Sequence, residues 1–131
     1  MSGETHLPSI LATLDVDVRP GTYFVITRRT PDPAADAVAE ARITEREGIT
    51  YVVPEAFARK AGEQPGFVAA WLSLKVHSAL NAVGVTAAVS GVLAERGIAC
   101  NVLAAFHHDH LLVPAARRDD AVAAIRSLRQ R

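Results

Sequence analysis

Of the 131 residues only one, Cys100, is a cysteine, so no disulfide can form within the chain. A reducing, cytoplasmic setting is the compartment this predicts. Charge of one sign is also lacking: Lys plus Arg and Asp plus Glu both number 14, and the formal net charge is zero. A nucleic-acid partner needs a basic excess on some face, and none is supplied. A neutral surface also leaves association with a second copy unopposed. The start, MSGETHLPSILATLD, has no basic region and too short an apolar run for a signal peptide. Polar residues break every apolar run well before the roughly 18 residues that would span a bilayer, so no membrane partner is expected. The motifs of common enzyme classes are missing too. The sequence has no Walker loop, no dinucleotide fingerprint, no nucleophile elbow and no established metal-ligand spacing. Its Gly-x-x-x-x-Gly spacings are not followed by Lys-Ser/Thr. A non-enzyme without a cofactor is the reading these absences favour.

What is present is half hydrophobic by residue count, enough for a buried core in one domain or two very small ones. Residues 7–14, LPSILATL, put Leu7, Ile10, Leu11 and Leu14 on one helical face, with Pro8 in the first turn. Pro20-Gly21 is a turn, and TYFVIT at 22–27 reads as a strand. TPDPAAD at 30–36 reads as a loop because of its two prolines and two aspartates. A hairpin is predicted next, from Val38 to Arg46, turning at Glu47-Gly48 and returning over Ile49–Val53. Pro54 opens a short helix, EAFARKA, that Gly62 ends.

FVAAWLSLKV, residues 67–76, reads as a strand. Val68, Ala70, Leu72, Leu74 and Val76 form its core face; Phe67, Ala69, Trp71, Ser73 and Lys75 lie opposite. Phe67 and Trp71 are unusual on a solvated side, so that side is expected to be covered. VTAAVSGVLAER, 85–96, is an amphipathic helix with Val85, Val89, Val92 and Leu93 inward, stopped by Gly97. A strand over Ile98–Phe106, a turn at His108-Asp109 and a return over His110–Val113 follow. Pro114 then opens a last helix with Ala121, Val122, Ile125 and Leu128 on its buried stripe. GITYVVPEAFARKAG and HDHLLVPAARRDDAV both run from turn to strand to Val-Pro to helix, which points to an internal duplication with Pro54 and Pro114 equivalent. The first half starts helix-then-strand and the second strand-then-helix, so the copies are not identical in plan.

Strand, helix, strand, strand, helix with short links is a ferredoxin-like pattern, an α+β fold. Within it NAVGVTAAVSGVLAERGIACNV resembles an ACT domain. That family has an acidic or amide residue three before a glycine, an apolar helix, a second glycine and an Ile-x-x-Asn strand. Here these are Asn81, Gly84, residues 85–96, Gly97, and Ile98 with Asn101. The resemblance covers 66–128 well and extends suggestively over 7–62. The whole is similar to small bacterial proteins of two tandem ACT-like units. It implies βαββα units at 1–63 and 64–131, antiparallel sheets with helices on one face, and a shared core. Two features depart from the family: its common Asp is Asn81, and its Pro is Val83. The strand expected after the last helix is missing, so a strand of the first half or of a second subunit must complete the sheet.

The resemblance implies a regulatory, allosteric module for a small molecule, with an amino acid the natural ligand and a homodimer the natural assembly. Asn81, Ala82, Val83, Gly84, Val85, Thr86 and Asn101 are the expected binding residues. Free N–H groups and the helix dipole at 85–86 suit a carboxylate. Gly84 permits close backbone approach, and the amides of Asn81 and Asn101 can both donate and accept. The bland alternative is that Asn81 caps the helix and Gly84 turns the chain. His107, His108 and His110 invite a metal, but no further ligand is fixed beside them by sequence, and turn and surface histidines are the favoured reading. Cys100 reads as a small core residue rather than a nucleophile, since no histidine base is placed beside it by motif. A structural dimerisation module without a ligand is the other alternative.

Overall fold

The computed structural model describes residues 6–76 and 83–130. The chain forms two compact units. One is the continuous stretch Pro20–Ala70. The other joins Met1–Arg19 to Trp71–Arg131.

In the continuous unit, β2 (Tyr23–Arg28), α2 (Pro33–Val38), β3 (Ala41–Thr44), β4 (Ile49–Pro54) and α3 (Glu55–Lys60) follow in order. Strand β1 (Asp15–Val18) precedes them and belongs to the other unit. Strand β4 lies between β3 and β2, both antiparallel to it. Alternation decides which side is buried. Phe24 and Ile26 of β2 pair with Val53 and Tyr51 of β4 and form a core with Ile49, Ala35 of α2 and Ala58 of α3. Both helices therefore cover one side of this sheet. The start of β5 (Val68–Lys75) closes the unit, Tyr23 pairing with Ala69 and Phe24 with Val68.

Helix α2 corrects the loop expected at 30–36, and the first hairpin strand starts at Ala41 rather than Val38. The physical reason is capping. The Asp32 carboxylate accepts from the N–H groups of Ala34, at 3.0 Å, and Ala35, at 3.4 Å. Pro33 stands in the first turn, where a missing N–H costs nothing. The Asp and Pro that look like loop formers are thus the start of a helix.

The second unit runs β5, α4 (Val85–Glu95), β6 (Asn101–Ala104), β7 (Asp109–Pro114), a 3-10 turn at Ala115–Arg117 and α5 (Arg118–Arg126). The two halves thus share the plan βαββα, where a different start was expected for the first. Helix α2 is the element that restores the match. Hairpin positions 41, 44, 49 and 54 recur sixty residues on, at 101, 104, 109 and 114. Both turns close alike: the Glu45 N–H donates to the Gly48 carbonyl at 2.8 Å and the Ala105 N–H to that of His108 at 3.1 Å. The second turn is therefore centred on Phe106-His107, not on His108-Asp109, and Asp109 is a strand residue paired with Ala104. Strand β6 is also shorter than the expected 98–106.

β1 pairs antiparallel with β5, from Asp15 with Lys75 to Val18 with Leu72. With it the order is β1-β5-β7-β6, matching β5-β2-β4-β3 in the first unit. One strand, β5, thus ends the first unit and begins the second. Helix α1 (Leu7–Ala12) buries Ile10 and Leu11, and Leu14 follows buried. Val16, Leu72, Leu74, Leu111 and Val113 from the strands and Val85, Val89, Val92, Leu93, Ala121, Ala124 and Ile125 from the helices are buried in this unit. Val122, expected on the buried stripe of α5, is only half-buried, and Ala124 takes that place.

Candidate functional site at the start of α4

Helix α4 forms because apolar residues recur on one side and Gly84 lets the chain enter sharply. Gly84 sits in the left-handed region, φ 102° and ψ −11°, as the residue before the first helical turn. Its carbonyl accepts the first helical bond, from the Ala88 N–H at 2.9 Å. A glycine cap brings no side chain to the leading amides, and no acidic residue stands in the first turn. The amides of Val85, Thr86 and Ala87 thus present the positive end of the helix dipole. Val85 is buried and anchors the turn, whereas Thr86 is exposed and Val83 is 83% exposed. A side chain built on Gly84 would meet Leu7 of α1, whose Cδ2 would lie 3.0 Å from the new Cβ. The bare side of Gly84 is therefore lined by an apolar side chain from far away in sequence.

The expected binding residues are only partly brought together. Val83, Gly84, Val85 and Thr86 are consecutive at the mouth of α4. Asn81 and Ala82 lie outside the described residues. Asn101 is exposed at the first position of β6, paired with Leu112. β6 begins only after α4 has ended, so Asn101 stands at the end of the unit where the helix finishes. An eleven-residue helix is about 16 Å long, and a single unit does not bring Asn101 to Gly84.

The histidines stay neighbours, with ring centres 6.5 Å apart for His107 and His108 and 6.3 Å for His108 and His110. His107 and His108 are exposed, Phe106 packs edge-on against His107 at 4.9 Å, and His110 is half-buried on β7. Among the described residues no three His, Cys, Asp or Glu side chains are grouped to hold a metal. Cys100 is half-buried rather than fully buried, and burial pushes its thiol up, the wrong direction for a nucleophile. The covered side of β5 is real: Trp71 is 3% exposed. Arg19 lies over its ring at 4.4 Å, and His110 contacts it from β7. Arg19 and Leu7 carry no signal in the sequence that ties them to Trp71 and Gly84, because both contacts are made only by folding.

Two family models, each described as an ACT domain, match residues 2–70 and 66–127. The chain belongs to the ACT domain family. Members of this family are commonly regulatory modules that bind small ligands, rather than catalysts, and they often dimerise. The two matched segments meet within β5, the strand that serves both ACT units. A protein of unknown function from Vibrio cholerae, described as a possible transport protein, is 31% identical. The match covers 95% of this chain and 96% of that one, with a TM-score of 0.86. A protein from Agobacterium tumefaciens shares the fold at 17% identity and a TM-score of 0.66, over 88% and 89% of the two chains. No curated protein is similar enough to match. Among the described residues no helix is long and apolar enough to cross a membrane.

Proposed function

We propose that this ACT protein is a cytoplasmic regulator that binds an amino acid at the loop leading into α4. The observation that carries the reading is the left-handed Gly84 at the head of α4, in a chain whose family commonly binds small ligands. The ligand carboxylate would meet the amides of Val85 and Thr86, and Asn81 would read its polar groups. Asn101, a helix length away in its own unit, would act at the same site only from a neighbouring copy, so the working form is a homodimer. Ligand binding would then change association, with itself or with an enzyme, and no nucleic acid or membrane takes part.

Melting temperatures measured across a panel of amino acids test this. A ligand at a hundred times its Kd stabilises the native state by about 2.7 kcal/mol, a rise of several degrees. The rise should vanish in Asn81→Ala and in Gly84→Trp. A complete panel of amino acids and related metabolites without any shift would overturn the proposal.

A specific observation favours a second reading, a dimerisation module without a ligand. β6 is an edge strand with no charged residue; it exposes Val102, and the turn that follows it carries the 77%-exposed Phe106. That reading expects a concentration-dependent oligomer indifferent to metabolites. A strict monomer in sedimentation would exclude it.

A further inference from the structure

A polar cluster on β5 and β7 is used neither by the ligand loop nor by the helices. Trp71 and Ser73 are two residues apart on β5 and share a side; His110 reaches them from β7. Ser73 Oγ lies 2.7 Å from His110 Nδ1. Trp71 Nε1 lies 3.3 Å from the same nitrogen and 3.3 Å from Ser73 Oγ. The indole and imidazole rings are 5.1 Å apart, and the Arg19 guanidinium covers the indole at 4.4 Å.

Donor chemistry favours one protonation state for this cluster, the one that uses all three contacts. An indole N–H can only donate. An Nδ1 that receives it carries a lone pair, which makes His110 neutral with its proton on Nε2; with the proton on Nδ1 the indole N–H would have Ser73 Oγ alone. The Ser73 hydroxyl can donate to the same Nδ1. A proton placed on Nδ1 would face the indole N–H, donor against donor.

We infer that Trp71, Ser73 and His110 form a proton-operated latch between β5 and β7, closed while His110 is neutral and released when Nδ1 takes a proton. On release the Trp71 bond to Nδ1 is lost, and the new Nδ1–H donates to Ser73 Oγ. This goes beyond the ligand-binding proposal and does not depend on it. The charged groups around the latch are known. Arg19 follows β1, His108 closes the turn before β7, and Asp109 begins β7. Asp17, the strand partner of Ser73, pairs with Lys75 on the same side at 3.7 Å. Burial, then Arg19, then His108 push the His110 pKa below its ordinary value, against Asp109. The folded pKa is thus the lower one. The stability held in the latch is present above about pH 6.5 and is lost as the pH falls through the folded value.

Trp71 is the only tryptophan, so its fluorescence reports the latch directly. Between pH 8 and 4.5 we expect a one-proton fluorescence transition with a midpoint below about 6.5, with the far-ultraviolet circular dichroism unchanged. The transition should be absent in His110→Gln and should persist in His108→Asn with its midpoint raised. A transition that survives in His110→Gln, or none in the folded wild type, overturns the latch. Nitrogen-15 NMR of the unaltered protein at pH 8 reads the tautomer without any variant or acid. A proton on Nε2 is expected, and a proton on Nδ1 overturns the inference even if acid unfolds the chain.

Discussion

Gly84 holds a backbone conformation that side chains with a Cβ adopt only at a cost of about 1–2 kcal/mol. Leu7 can swing aside from an added methyl, so strain rather than collision sets the effect of Gly84→Ala. A stability loss of that size should appear in urea unfolding. At Gly48 the same change is harsher, because a Cβ there would lie 2.5 Å from the Arg28 carbonyl oxygen, which is backbone and cannot rotate away. The carboxylates set acid behaviour. The Val16 N–H, ahead of Arg126 and Arg129, lowers the Asp15 pKa; Arg28 lowers that of Asp32, and the Thr22 hydroxyl, ahead of Arg59, that of Glu55. Their folded pKa values lie below the unfolded ones, so their stabilisation is present above about pH 4 and is lost as the pH falls further. Asp15→Asn should flatten that decline in melting temperature and, being a half-exposed pair, cost less than about 1 kcal/mol at neutral pH. Residue types were readable at this scale. Gly84 stands out by its place before an apolar helix, whereas its neighbour Leu7, 77 residues earlier, does not.

Short elements are where pattern and fold diverge. The spacing over 85–96 describes α4 almost to the residue, because four inward positions repeat at helical period. α2 has only six residues and one fully buried side chain, Ala35, so periodicity cannot reveal it. Its existence depends on Asp32, which caps it, pairs with Arg28 at 3.0 Å and donates its own N–H to the Tyr51 hydroxyl at 3.1 Å. Asp32→Ala should therefore lower the unfolding midpoint, and Tyr51→Phe should cost about 1 kcal/mol, each measured in denaturant. β1 is hidden for a similar reason: with four residues and one buried, its DVDV alternation is too short to stand out before it is paired. The turn at Phe106-His107 was obscured because Asp109 looks like a turn residue, yet the ladder places it opposite Ala104.

At the scale of the molecule the βαββα plan and the need for an outside strand were legible, and the identity of that strand was not. Short strands such as β1 carry too little pattern to say which edge they join, so the sequence leaves open whether the added strand comes from the same chain or another. β1 fills the role within the chain, so a truncation that begins at Pro20 should strip the second unit of its completing strand and of the buried Ile10, Leu11, Leu14 and Val16. Burial of such side chains is worth about 1.5–3 kcal/mol each, comparable in sum to a small domain's whole stability. The truncated chain should lose exchange protection in β5–β7 as measured by hydrogen exchange; full protection there would show that β1 is dispensable. The head of α4 is the proposed ligand site. A crystal structure of the protein grown with a mixture of amino acids tests it at the atoms concerned. A bound amino acid is expected, its carboxylate meeting the Val85 and Thr86 amides, with Asn81 of the same copy and Asn101 of a second copy at hand. Well-resolved copies with that position open to solvent and no amino acid there, or the amino acid bound elsewhere, would contradict it.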